Sequence, residues 1–200
     1  MRLTWLNLNG IVSEAQIKKV EELSLKFGKI NVLEIGSAYG GAVEYLADTY
    51  KNAEVYGYDT FEGHPKDLTY DPNSTEATCM DYWYRPDILG TDKLSYEYQT
   101  EALKDIPNAH LVKGRVNRNS FDDIKEVHMA MIDLDLIQPI MATYMGIKDK
   151  IVKGGYLFFH DYADNHLPMI LFFVDEIVIP SGLWEVESHK DQAFIILKKK

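Results

Sequence analysis

The chain has almost no cysteine. Cys79 stands alone, which excludes an internal disulfide framework and fits a reducing, cytoplasmic setting. It also has no excess of positive charge: 21 Lys and Arg against 31 Asp and Glu give a formal charge of −10. Such a surface repels phosphates and argues against non-specific binding to nucleic acid. There is no long hydrophobic run either. The most apolar stretch, Leu167 to Ile179, is interrupted by Asp175 and Glu176 and falls short of the roughly 20 residues that span a bilayer. The beginning of the chain lacks the basic-then-apolar pattern of a secretory signal, and no repeat or low-complexity tract is visible. A soluble cytoplasmic protein with no membrane partner is therefore expected.

What is present suits one α/β domain. Apolar residues make up 46% of the 200 positions, enough for a true core but not for two domains of comparable size, so residues 1–200 are expected to fold as a unit. The organising stretch is Asn31 to Ala47. Val32, Leu33 and Ile35 form a short β-branched-rich run, as a buried parallel strand requires. Gly36-Ser37-Ala38-Tyr39-Gly40-Gly41 then makes a tight turn, and Val43, Leu46 and Ala47 follow at helical spacing. Strand, glycine turn and helix together let backbone N–H groups approach a ligand closely.

The next predicted strand, Glu54 to Tyr58, ends in Asp59. An acid there is close to the roughly 20-residue spacing at which a carboxylate accepts from ribose hydroxyls. Dinucleotides and S-adenosylmethionine both use this arrangement. Ala38 breaks the dinucleotide pattern G-x-G-x-x-G, and Glu34 favours a cationic group such as the amine of a methionyl tail. S-adenosylmethionine therefore leads, ahead of a nucleotide-free core carrying a chance glycine turn.

The remaining chain alternates in the same way. Ser13 and Gln16 have the form of a capping box, opening a helix with Ile17, Val20, Leu23 and Phe27 on one face and Gly28 as its stop. Strands are predicted at Ala109–Lys113, His128–Ile132 and Tyr156–Phe159. Helices are predicted at Glu97–Ile106, Ser120–Val127, from Pro139 to about Lys150, and at Leu167–Val178. Trp184–Ser188 and Ala193–Leu197 read as a closing antiparallel pair. The fold class expected is a doubly wound, mostly parallel, Rossmann-like α/β sheet with a C-terminal antiparallel hairpin. Residues 61–108 are too long for a simple connection and are expected to hold a lid or substrate insertion, whose Tyr70, Tyr82, Trp83, Tyr84, Tyr96 and Tyr98 could wall an acceptor or form a small core.

In such a sheet ligands bind beyond the carboxyl ends of the strands. The predicted tips are Glu34–Gly36, Asp59, Gly114–Arg115, Asp133–Asp135 and His160–Asp161, with His64 and His166 as weaker flanking candidates. Crowded acids call for a cation, a proton or ligand donors. Asp133, Asp161 and His160 offer two carboxylates and an imidazole, compatible with Mg²⁺ or Mn²⁺, or they simply cap loops. His160 has three readings: metal ligand, general base for an acceptor hydroxyl, or buried structural histidine. Asp135, two residues beyond Asp133, is expected in extended backbone to point away, into a helix cap or among the groups that surround the ligands.

The stretches LEIGSAYGG, YDTFEGHP, LVKGRV, MIDLDL and GGYLFFHDYAD resemble, in order and spacing, the macrocin O-methyltransferase-like class I methyltransferases over about Gly10 to Val178. The resemblance implies S-adenosylmethionine-dependent O-methylation of a hydroxyl on a small-molecule acceptor of sugar or natural-product type, assisted by a divalent metal. It implies cofactor contacts at Glu34, Gly36, Ser37, Tyr39, Gly40, Asp59, Thr60, Phe61, Arg115 and Asp133, with Phe61 beside the adenine. The metal would fall to Asp133, His160 and Asp161, which also form the catalytic set. This chain departs from the family in two places: His160 replaces an acid, and Leu136-Ile137-Gln138 replaces a tyrosine-containing run. The rival functions are a non-methylating enzyme on the same fold and a non-catalytic cofactor-binding scaffold. Monomer and homo-oligomer are both compatible with the sequence.

Overall fold

The computed structural model describes residues 13–63, 95–164, 167–191 and 194–200. Cys79, His64, His166 and the aromatic cluster Tyr70, Tyr82, Trp83 and Tyr84 lie outside the described residues, as does most of the expected insertion. The elements in order are α1 (Glu14–Phe27), β1 (Ile30–Ile35), α2 (Gly41–Thr49), β2 (Ala53–Asp59), α3 (Tyr96–Leu103), β3 (Ala109–Lys113), β4 (Val127–Ile132), α4 (Ile137–Ile147), β5 (Ile151–His160), α5 (Pro168–Phe173), β6 (Trp184–Asp191) and β7 (Phe194–Lys199). Beyond α5 the chain stays helical through a wide π turn, Val174–Val178, and a tight 3-10 turn, Ile179–Ser181.

The seven strands form one sheet in the order β3-β2-β1-β4-β5-β7-β6. Neighbours from β3 to β5 run parallel, while β7 lies antiparallel to both β5 and β6. The strands are apolar at successive positions because both faces are covered. On one face Val32, Val55, Met129 and Phe158 pack under Val20 and Leu23 of α1 and Val43 and Leu46 of α2. On the other, Leu33, Ile35, Ala130, Leu157 and Phe159 pack under Ile140 and Tyr144 of α4 and Ile170 and Phe173 of α5. The Trp184 indole donates to the Tyr144 hydroxyl (3.2 Å), tying the hairpin to α4.

The capping box forms as the sequence dictates: Gln16 N–H donates to Ser13 Oγ (3.1 Å) and Ser13 N–H to Gln16 Oε1 (2.8 Å). Gly28, at φ +73°, ends α1. The helix expected over Ser120–Val127 is absent: the chain turns over residues 118–123 and enters β4 at Val127. Polar side chains win locally here, since Asn117 N–H donates to Ser120 Oγ (2.9 Å) and Asn119 N–H to Asn117 Oδ1 (2.8 Å), satisfying groups a helix would have paired.

Candidate functional site

The carboxyl ends of β1, β2, β4 and β5 meet along one rim, and the glycine turn is built against two of them. Gly36 and Ser37 N–H both donate to the Tyr58 carbonyl (2.8 and 3.2 Å), and Asp133 N–H donates to the Ile35 carbonyl (2.8 Å). Gly36 has φ +89°. A Cβ there would sit 1.7 Å from the Asp133 carbonyl oxygen, so the glycine is demanded by the neighbouring strand as well as by the turn. Gly40, also left-handed at φ +72°, is the N-cap of α2.

Asp59 fastens this turn to the tip of β2. One carboxylate oxygen accepts from Ala38 N–H (2.9 Å) and the other from Phe61 N–H (2.8 Å). From the opposite side Gln99 of α3, fully buried, donates its amide to the Ala38 carbonyl (2.7 Å). A carboxylate oxygen accepts more than one hydrogen bond, so the ribose role expected of Asp59 is compatible with this clasp. Among the described residues, the non-glycine residues with left-handed backbone are Ala38, Phe61, Asp135 and Asp161, all within a few residues of a parallel strand's end. Each costs on the order of 1 kcal/mol or more, and strain collected on one rim marks a functional edge. The extended backbone expected at Asp135 is therefore replaced by φ +58°, and the N-cap of α4 is Leu136 without a side-chain cap.

Glu34 is buried beneath the turn, 5% exposed. Its hydrogen-bond partner among the described residues is Gln16, whose Nε2 donates to Oε1 (2.9 Å). Burial, reinforced by the charge of Asp133, pushes the carboxyl up to about 8, against the pull of Gln16 and His160. A buried acid with no ion-pair partner among the described residues fits a ligand that brings an ammonium group. The sign for stability follows. The folded protein holds this proton up to about pH 8, the unfolded chain only to about 4.5. The contribution is fully present below the lower value and is lost as pH rises through the upper one. Thermal unfolding between about pH 5 and pH 8 should therefore show a steeper fall in Tm for the wild type than for Glu34→Gln. Parallel slopes would place the titration elsewhere.

The second cluster follows from the register of β4 and β5. Ile132 pairs with Phe159, so Asp133 and His160 emerge side by side, with Asp161 next. His160 Nδ1 lies 3.1 Å from Asp133 Oδ1 and 3.0 Å from Asp161 Oδ1. That nitrogen is buried, yet it forms a directed hydrogen bond with neither oxygen. Burial opposes a charged ring, but the two carboxylates outweigh it and push His160 up to about 11. Burial also raises the Asp133 carboxyl above its ordinary range, as do Asp135 and Asp161, while His160 pulls it down. One donor atom from each of the three residues lies within 4.8 Å of the others. Adjacent ligands of an octahedral ion held at about 2.1 Å are themselves about 3 Å apart. The spacing, the undirected Nδ1 and the net acidity fit a divalent cation.

The other expected contacts take the following places. Tyr39 is buried at 2% exposure. Ser37 packs inward, where a Cβ on Gly57 would meet its own Cβ at 3.2 Å, and its Oγ has no hydrogen-bond partner among the described residues. Thr60 Oγ1 donates to the Gly63 carbonyl (2.6 Å), shaping the exit from β2. Phe61 is buried edge-on against Tyr96, ring centroids 5.3 Å apart. Arg115 is exposed just past the end of β3. Sequence reasoning did not connect Gln16 or Gln99 with the rim. For Gln16 the one available signal was an amide, rather than an acid, in the closing position of the capping box.

No protein-family model matches the sequence, and no curated protein matches it. Solved structures do. The O-methyltransferase NovP is similar with a TM-score of 0.68 at 18% identity, over 92% of this chain and 80% of that one. A putative caffeoyl-CoA O-methyltransferase from Staphylococcus aureus aligns with a TM-score of 0.60 at 14% identity, over 95% and 85%. CalS11, a calicheamicin methyltransferase, aligns at 0.59 and 16%, over 93% and 80%. The strand order, the parallel body with its antiparallel C-terminal hairpin and these likenesses agree: the chain has the fold of the class I methyltransferases.

Proposed function

We propose that the protein is an S-adenosylmethionine-dependent O-methyltransferase that acts on a hydroxyl of a small molecule of sugar or natural-product type, with a divalent cation beside the acceptor. The observation that carries this reading is the close contact of two clusters. The glycine turn over buried Glu34 abuts the backbone of Asp133, and Asp133 belongs to the Asp133–His160–Asp161 group. The sequence resemblance to macrocin O-methyltransferase-like proteins and the fold of NovP and CalS11 support it.

S-adenosylmethionine, when bound, supplies a methyl group activated by a sulfonium centre. Glu34 offers a carboxylate to the ammonium of its tail, and Asp59 accepts from the ribose while holding the turn in shape. Asp133, His160 and Asp161 would hold the cation, whose chemistry there would be to orient neighbouring hydroxyls and lower the pKa of one of them. His160 is assigned as a ligand because its Nδ1 faces both carboxylates at about 3 Å, where a cation would displace the ring proton and take its place between them. What the rim contributes is chiefly alignment of methyl donor and oxygen. The acidic surface, at a formal −10, suits a small acceptor better than a nucleic acid.

The test uses labelled S-adenosylmethionine with a panel of monosaccharides, nucleotide-linked sugars and phenols, and follows O-linked label. Asp133→Ala and Asp161→Ala should each lower turnover more than about tenfold, while S-adenosylhomocysteine affinity stays within about threefold. Turnover that survives both changes would overturn the metal-assisted reading. A wild type that binds cofactor but transfers to none of the acceptors would favour the non-catalytic alternative.

A further inference from the structure

Gln16 stands 18 positions before Glu34 and on a different element, yet it is buried at 3% exposure and both ends of its amide are committed. Its Oε1 accepts from Ser13 N–H (2.8 Å) and its Nε2 donates to Glu34 Oε1 (2.9 Å). The orientation of the amide is fixed by chemistry. A backbone N–H only donates and a carboxylate only accepts, so turning the amide over would set donor against donor and acceptor against acceptor. A capping box is equally well closed by glutamate. Glutamate at this position, however, would face Glu34 with a second buried carboxylate. The choice of the neutral amide is thus explained by Glu34 and not by the helix.

We propose that Gln16 is a positioning residue of the cofactor site, holding Glu34 by one oxygen so that its carboxylate meets the ammonium of an aminoacyl tail. This rests on the S-adenosylmethionine reading and extends it, since it ties the start of α1 to the recognition of the cofactor's amino-acid end. Because Glu34 has no other hydrogen-bond partner among the described residues, removing the amide leaves no hydrogen bond there to fix the direction of the carboxylate. Removing the amide also takes away a hydrogen bond that opposes burial, and so moves the acid further toward the neutral form. The adenosine end of the ligand, expected at Asp59, lies on a different strand and does not depend on Gln16.

The experiment is calorimetric titration of the full-length protein with two probes. S-adenosylhomocysteine carries the ammonium, and 5′-methylthioadenosine keeps the nucleoside and thioether but lacks the aminoacyl tail. Gln16→Leu and Gln16→Met should each weaken S-adenosylhomocysteine about tenfold, the scale of a hydrogen bond to a charged group, and leave 5′-methylthioadenosine within about twofold. Ser13→Ala removes the hydroxyl half of the cap and spares the amide, so it should lower Tm and leave the ratio of the two affinities unchanged. A fall shared equally by both probes in the Gln16 variants would mean a merely structural role and overturn the proposal, as would no fall at all. If the wild type binds neither probe, the cofactor reading itself fails. If it binds both and the Gln16 variants keep their ratio, only this inference fails.

Discussion

Gly36→Ala should be the most damaging single substitution on the rim, destabilising the protein by about 4 kcal/mol or more and abolishing cofactor binding. Two independent costs combine. The backbone is left-handed at φ +89°, where an alanine is strained. The added carbon would also stand 1.7 Å from the Asp133 carbonyl oxygen, a backbone atom that cannot swing aside. Relief requires β1 and β4 to separate at their tips, which breaks the Asp133-to-Ile35 bond and strains the pair of bonds to Tyr58. The same separation displaces the Asp133 carboxylate from His160 and Asp161, so cation binding should be lost together with cofactor binding. Denaturant unfolding and S-adenosylhomocysteine titration read the two effects. A variant within about 1 kcal/mol of wild type would mean that the two tips are not packed this tightly.

Asp59→Ala should come second, with S-adenosylhomocysteine affinity down at least about a hundredfold and stability down by about 3 kcal/mol. The carboxylate serves two backbone donors, Ala38 N–H and Phe61 N–H, and both are left without it. Ala38 is itself left-handed at φ +46°, a conformation an isolated alanine does not favour, so losing its partner releases the turn. Asp59→Asn separates the contributions. Its amide oxygen can still serve one donor, so stability should recover in part while ribose recognition stays impaired. A purely ribose-binding carboxylate would instead leave stability untouched in both variants.

Much of the sheet was legible because its strands are short apolar runs buried on both faces, and the ends of α1 because Ser13, Gln16 and Gly28 each satisfy a backbone requirement. The meeting of Asp133 with His160 was also foreseeable, since both were placed at strand tips and β4 lies beside β5. Other features depend on contacts that no local pattern encodes. The turns over residues 118–123 look helical by composition, and the side-chain bonds of Asn117 and Ser120 decide against it. Asp135 was expected to be extended, whereas the exit from β4 into α4 turns it left-handed. Gln16 reads as a cap and nothing more until folding brings it against Glu34. The clasp of Asp59 and Gln99 on Ala38, which sets the path of the turn, likewise joins residues 21 and 61 positions apart.

The most direct measurement is calorimetric titration of the wild-type protein with S-adenosylmethionine and S-adenosylhomocysteine, each with and without Mg²⁺. Micromolar binding of both ligands is expected, together with a separate uptake of the cation that disappears in Asp133→Ala. Failure to bind either ligand under any of these conditions would contradict the proposal that this rim is built for a methyl donor.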